Sequence, residues 1–325
     1  MNGNYVTIDL ALVIEKLLLI IAVTFLVWVA ARMIAMADRK WLHPLSGAGV
    51  KDIAESSFGE TSGLLLKVAA VLMLVVSIMI STVIPWGEAV RIGSRNVSLF
   101  IARVDIGVLL ILAFLWLGIY GGIAQRWSYV KDEKIGALFR FGSLFIACAL
   151  AMGLVVVPLL MIAASTDLQN IISLQKDGVW NIFYQLPGFL IMLLGTAVLS
   201  KPSFPNGGRR IAGAGFGSIN AMYSLAGYVL LFLMGTVITT LYLGGYEVPF
   251  VSDLALRRRF GVNVLFILQA ISFLFKITAV VAILLWTRRV LERYDESILV
   301  RWGWKFIIPA ALINLAGTAV VILAR

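Results

Sequence analysis

Apolar runs of about twenty residues recur along the whole chain, each long enough to cross a hydrocarbon core about 30 Å thick. Leu225–Gly244 carries no charged residue, and Leu64–Ile84 carries only Lys67. Backbone in lipid must satisfy its own hydrogen bonds. Long runs without period-2 alternation do this as helices and not as barrel strands. The spacing predicts an all-α polytopic membrane protein with about eight transmembrane helices packed in one bundle. Those helices are expected at Leu10–Ile34, Leu64–Ile84, Asp105–Ala124, Gly136–Ala164, Trp180–Leu199, Leu225–Gly244, Val262–Trp286 and Phe306–Leu323.

Composition agrees with that class. Hydrophobic residues make up 61% of the chain and charged residues 14%, where a soluble domain carries roughly 45–50% and 25%. Between the runs stand turn-forming stretches such as Pro202-Ser-Phe-Pro-Asn-Gly-Gly and Gly244-Gly-Tyr-Glu-Val-Pro. No connector is long enough for a soluble domain, so residues 1–325 read as a single transmembrane helical domain with short cytoplasmic connectors. Pro158, inside the fourth run, removes one helical donor and is expected to kink that span. Trp28, Trp86, Trp127, Trp180, Trp286 and Trp304 fall near run ends, as in interfacial aromatic belts.

Lys and Arg divide unequally between alternate connectors. The set holding Arg39, Lys40, Lys131, Lys134, Lys201, Arg209, Arg210, Arg288, Arg289 and Arg293 is richer, despite the triplet Arg257–Arg259 in the other set. The positive-inside rule puts the richer set in the cytoplasm and both termini on the opposite side. The formal charge of +10 then reads as orientation charge at the flanks of helices, not as a nucleic-acid footprint. One cysteine, Cys148, and one histidine, His43, leave no donor set for a zinc site, an iron–sulfur cluster or a multi-histidine haem site within the chain. No catalytic residue and no metal ligand stands out.

Several motifs fall in order along these runs. The last cytoplasmic loop contains Trp286, Arg288, Glu292, Arg293, Asp295, Ser297, Leu299, Trp304 and Lys305. The third run opens on Asp105-Ile-Gly107 and is followed by Tyr120, Trp127 and Arg140. The sixth run closes on Leu241-Tyr-Leu-Gly-Gly-Tyr246, and Lys276 stands in the seventh. Asp38-Arg39-Lys40, Leu42-x-Pro44-Leu45 and Lys51 follow the first run. Together these resemble the H-subunit family of respiratory complex I (NADH-quinone oxidoreductase) and its relatives in membrane-bound hydrogenases. The loop is similar to the family's Trp-x-Arg-x-x-x-Pro-Arg-x-Arg-x-Asp-x-Leu-x-x-x-x-Trp-Lys, and the sixth-run ending to Leu-Phe-Leu-Gly-Gly-Trp. The resemblance extends from about Ala37 to Thr318 and marks the chain as a divergent member.

The resemblance implies a membrane-embedded core subunit that links a peripheral redox arm to a membrane arm. Its implied partners are other membrane and peripheral subunits and lipids, with no nucleic acid. The membrane implied is the inner membrane of a bacterium or an organelle. No cofactor is implied within this chain, although a quinone at an interface is, with Arg39, Lys40 and His43 as candidates for its entrance. The family's fourth helix carries Ser-Tyr-Glu where this chain has Ala147, Cys148 and Ala149, and the acid-rich connector of the family is replaced by Ser200–Asn220, which has no Asp or Glu. A proton relay needs titratable or water-holding groups in succession, and alanine supplies neither. The expected role is therefore the platform, with quinone and proton coupling groups partly lost. A non-redox membrane anchor or assembly subunit diverged from the family is the alternative.

Two groups of residues carry the remaining candidates. Arg288, Arg289, Arg293 and Arg301 are either a positive anchor on lipid phosphates or a docking surface for an acidic soluble subunit. Lys276, mid-span, must face protein or water, because a charge in lipid costs a few kcal/mol or more. It lies either in a polar channel or on backbone carbonyls at a helix contact.

Overall fold

The computed structural model describes residues 10–37, 60–87, 89–92, 95–98, 101, 104–128, 135–177, 179–200, 217–248 and 262–324. The helices are α1 (Leu10–Ala37), α2 (Glu60–Val83), α3 (Gly107–Ser128), α4 (Ile135–Ala163), α5 (Leu168–Asp177), α6 (Asn181–Tyr184), α7 (Leu186–Leu199), α8 (Gly217–Tyr242), α9 (Val262–Leu291), α10 (Glu296–Trp302) and α11 (Ile308–Leu323). Among the described residues, six helical stretches are long and apolar enough to cross a membrane, and Lys67–Val83 and Leu186–Leu199 are shorter apolar helices. The polytopic all-α architecture expected from the apolar runs is present. One short antiparallel hairpin adds to it, β1 (Ala89–Ile92) with β2 (Arg95–Ser98), pairing Val90 with Val97.

The fifth expected span departs most from the reading of the sequence. The run Trp180–Leu199 is not one helix: α6 ends, Gln185 leaves helical geometry at φ −128° and ψ 41°, and α7 restarts with Pro187 in its first turn. Proline lacks the backbone donor, so a first-turn position is where it costs least. The fourteen residues of α7 extend about 21 Å, less than a full crossing. The polar stretch 165–179, expected to be a loop, folds as α5, with Asp167 Oδ1 accepting from the Gln169 amide at 3.0 Å to cap it. The last span is longer than expected. Helical backbone runs from α10 through one π turn at Gly303–Ile307 into α11. At that turn a Cβ on Gly303 would stand 3.1 Å from the Cβ of Ala147, so the missing side chain lets α4 approach closely.

One apolar cluster joins the long helices, with α8 as the hub. It packs on α1, α2, α7 and α9, and 83% of its Leu225–Tyr242 window is buried, against 6% for Glu296–Leu323 at the rim. Trp86 stacks on Phe232 of α8 at 6.4 Å and meets Phe273 of α9 edge-on. Small residues set the close approaches, as expected where lipid tails offer no hydrophobic drive between helices. A Cβ on Gly235 would lie 2.8 Å from Val281 Cγ2, and valine is stiff at χ1. Gly235→Leu is expected to destabilise the bundle by roughly 1–3 kcal/mol. A lowered thermal unfolding midpoint of the purified assembly checks this.

Candidate functional site

The described polar chemistry concentrates where α8 ends. A helix leaves its last carbonyls without intrahelical partners, and in an apolar interior each must find a donor. Gly244 and Gly245 turn the chain back with φ of +71° and +53°, the left-handed region that glycine enters without a Cβ penalty. The turn presents its carbonyls to α9, and Lys276 meets them. Its Nζ donates to the carbonyl oxygens of Leu243 at 2.8 Å, Gly245 at 3.1 Å and Glu247 at 2.7 Å. The ammonium also lies 4.9 Å from the Trp180 ring centroid, a cation–π geometry. Three donors meet three acceptors, and the positive charge faces the negative end of the α8 dipole.

From the other side, the break between α5 and α7 supplies amides to the same helix end. Gln175 Nε2 donates to Thr240 O at 3.0 Å, and Asn181 Nδ2 donates to Leu241 O at 2.9 Å. Gln175 Oε1 accepts from the backbone amides of Gly244 at 3.0 Å and Asn181 at 3.2 Å. Glu247, buried, pairs with Lys176 at 3.6 Å. Lys276 and Glu247 are 29 residues apart in the chain, so spacing gives no sign of their adjacency. The signal that sequence does offer is the Gly244-Gly245 pair, which marks a turn where a helix end needs partners. This arrangement binds backbone and fixes helix ends, with every donor of Lys276 committed to a carbonyl.

At the opposite end of α9 the four arginines part company. Arg288 is buried, its guanidinium 5.5 Å from the Tyr228 ring centroid and its Nε 3.6 Å from Glu292 Oε1. Arg293 and Arg301 are exposed and Arg289 is half-buried, with Arg301 Nε donating to Ser297 O at 3.4 Å. The structure thus turns Arg288 inward as a helix-packing residue and leaves Arg289, Arg293 and Arg301 at the surface. Trp304 Nε1 donates to Ser143 Oγ at 2.9 Å and ties the start of the last span to α4.

On α4, Ala147, Cys148 and Ala149 are all buried. Among the described residues, no group of three or more His, Cys, Asp and Glu comes together to hold a metal ion. Arg39, Lys40 and His43 lie outside the described residues.

Known proteins place this sequence in a family. Residues 54–205 and 213–319 match the NADH dehydrogenase family. The first of the NADH-quinone oxidoreductase H subunits of Cytophaga hutchinsonii is similar, 31% identical over 248 residues, covering 74% of this chain and 71% of its own length. The H subunit of the same enzyme in Flavobacterium psychrophilum is 27% identical, covering 97% of this chain and 99% of its own. The second H subunit of Geobacter sulfurreducens is 29% identical, covering 99% of each. With the family matched on both sides of the 205–213 gap and two of these relatives aligned nearly end to end, the chain belongs to the NADH dehydrogenase family that includes the H subunits of NADH-quinone oxidoreductases.

Proposed function

We propose that this chain is a membrane-embedded core subunit of an NADH-quinone oxidoreductase of the complex I type, joining the peripheral redox arm to the membrane arm. The observation that carries the reading is the family match across most of the chain, reached by relatives that are themselves named as subunits of that enzyme. In this reading the protein sits in an inner membrane as one transmembrane unit, with its termini on the non-cytoplasmic side and its larger connectors toward the redox arm. Quinone is met at an interface whose entrance includes Arg39, Lys40 and His43, and the chain binds no redox cofactor of its own. Arg289, Arg293 and Arg301 form the docking face for an acidic peripheral subunit, since planar guanidinium groups suit bidentate carboxylate contacts.

The interior of the chain is, in this reading, a scaffold and not a proton relay. Ala149 in the packed core supports it, because a relay needs groups that hold a proton or a water in succession. Proton-carrying acids are then supplied by neighbouring subunits. The experiment is a proton-to-electron ratio measured in vesicles that carry the assembly with Glu247→Gln or Asp167→Asn, the two buried described carboxylates. An unchanged ratio at any retained NADH oxidation rate is expected. A halved ratio with the oxidation rate intact would place a coupling group in this chain and overturn the scaffold reading.

A further inference from the structure

Two aromatic side chains meet where α9 turns into α10. The rings of Tyr294 and Trp302 have centroids 5.2 Å apart at 48°, and the two residues remain 39% and 41% exposed. The loop pattern that the chain resembles leaves both positions open, so the pair is a feature of this chain and not of the shared motif.

Exposed aromatics at the flank of a span commonly serve the interfacial belt. Trp286, at the end of one apolar run, and Trp304, at the start of the next, have that setting. Tyr294 does not. Beyond Trp286, α9 runs on to Leu291, roughly 7 Å further along its axis. The segment that follows reads Glu292-Arg-Tyr-Asp-Glu-Ser297, with no aliphatic side chain beside the ring. Trp302 joins this polar turn through its contact with Tyr294.

Positive charge without a partner surrounds the pair. Glu292 lies beside Arg288 at 3.6 Å, so the surface guanidinium groups outnumber the acids left in the turn, Asp295 and Glu296. Among the described residues, Arg289, Arg293 and Arg301 form no ion pair, and Arg301 commits only its Nε, to Ser297 O. Trp, Tyr and Arg are the residues that dominate binding hot spots, where an apolar anchor is ringed by polar contacts that exclude water.

We infer, on the docking role proposed above for Arg289, Arg293 and Arg301, that Tyr294 and Trp302 are the apolar anchor of that face. The occupant is an apolar side chain of a peripheral subunit, flanked by Asp or Glu that meet the arginines. The aromatic contact makes docking resist salt. At about 1 M salt the Debye length falls to about 3 Å and exposed charge pairs are screened, whereas burial of apolar surface is not.

The test uses the intact purified assembly. With photoreactive benzoylphenylalanine in place of Trp302, illumination is expected to attach the chain to a peripheral-subunit peptide that carries Asp or Glu beside the attachment point. In a second arm, the wild type keeps its peripheral subunits through a wash at about 1 M salt. Tyr294→Ala with Trp302→Ala should retain at least tenfold less, and Tyr294→Phe with Trp302→Phe should retain them, since the rings carry the contact. Attachment to lipid, to a peptide without acids or to nothing would overturn the anchor, as would release from the wild type or full retention in the alanine pair. If reversing the three arginines still sheds the peripheral subunits, the docking face stands without this anchor. If neither set of variants sheds them, the docking face falls as well.

Discussion

Replacing Lys276 with methionine is expected to cut the amount of this chain found in assembled particles several-fold and to lower the thermal midpoint of what remains. Methionine approximates the apolar stem, ends one atom short, and withdraws the donors from Leu243, Gly245 and Glu247. Glu247 O retains Ser272 Oγ at 3.3 Å, so the damage falls on the carbonyls of Leu243 and Gly245. Each buried group left without a partner costs about 1–3 kcal/mol, which sets a total on the order of 3 kcal/mol or more. Lys276→Gln, which keeps one amide donor group, should lie between. The measurement is quantitative mass spectrometry of the purified particle together with a melting curve. A Lys276→Met particle that assembles and melts normally but loses proton coupling would show instead that the lysine serves a channel, the other reading open from the sequence.

The second large effect is expected at the surface end of α9 and α10. Reversing charge in Arg289→Glu, Arg293→Glu and Arg301→Glu together should reduce the peripheral subunits retained per membrane particle at least tenfold near 0.15 M salt, where the Debye length is about 8 Å. Opposed charges across an interface change partner choice and encounter more than they change the fold. The membrane bundle itself should keep its melting midpoint, because Arg293 and Arg301 are exposed and Arg289 is half-buried. Arg288→Ala should do the reverse. It removes a buried guanidinium from Tyr228 and Glu292, which costs fold stability before it touches docking. Retained peripheral subunits in the triple variant, with altered insertion or lipid dependence, would return these arginines to the role of lipid anchors.

The parts of the structure legible in the sequence are those dictated by period and length. Long apolar runs place α2, α3, α4 and α9 close to their observed ends, while α8 begins at Gly217, well before the expected Leu225, because in lipid such runs satisfy their own backbone as helices. The failures occur where polar residues mix with apolar ones. Trp180–Leu199 reads as one span, yet Gln185 and Pro187 divide it. The stretch 165–179 falls between two expected spans as a connector, yet it folds as α5 and Gln175 turns inward to serve the end of α8. Those partners sit 65 and 69 residues away, a separation at which one sequence carries no spacing signal. Asn314 in the final apolar run is a visible polar intrusion, and Gln185 is the residue it bonds. Arg288 shows the limit of motif reading, since its spacing to Arg293 and Arg301 says nothing of burial.

The company the chain keeps in its membrane is the most direct test of its place in the enzyme. A tagged chain, expressed from its own locus and purified in mild detergent, should bring down iron–sulfur proteins whose electron paramagnetic resonance signals are reduced by NADH, together with quinone reductase activity. A homogeneous particle containing this chain with no redox centre, and no loss of NADH-driven quinone reduction in membranes after the chain is deleted, would contradict that place.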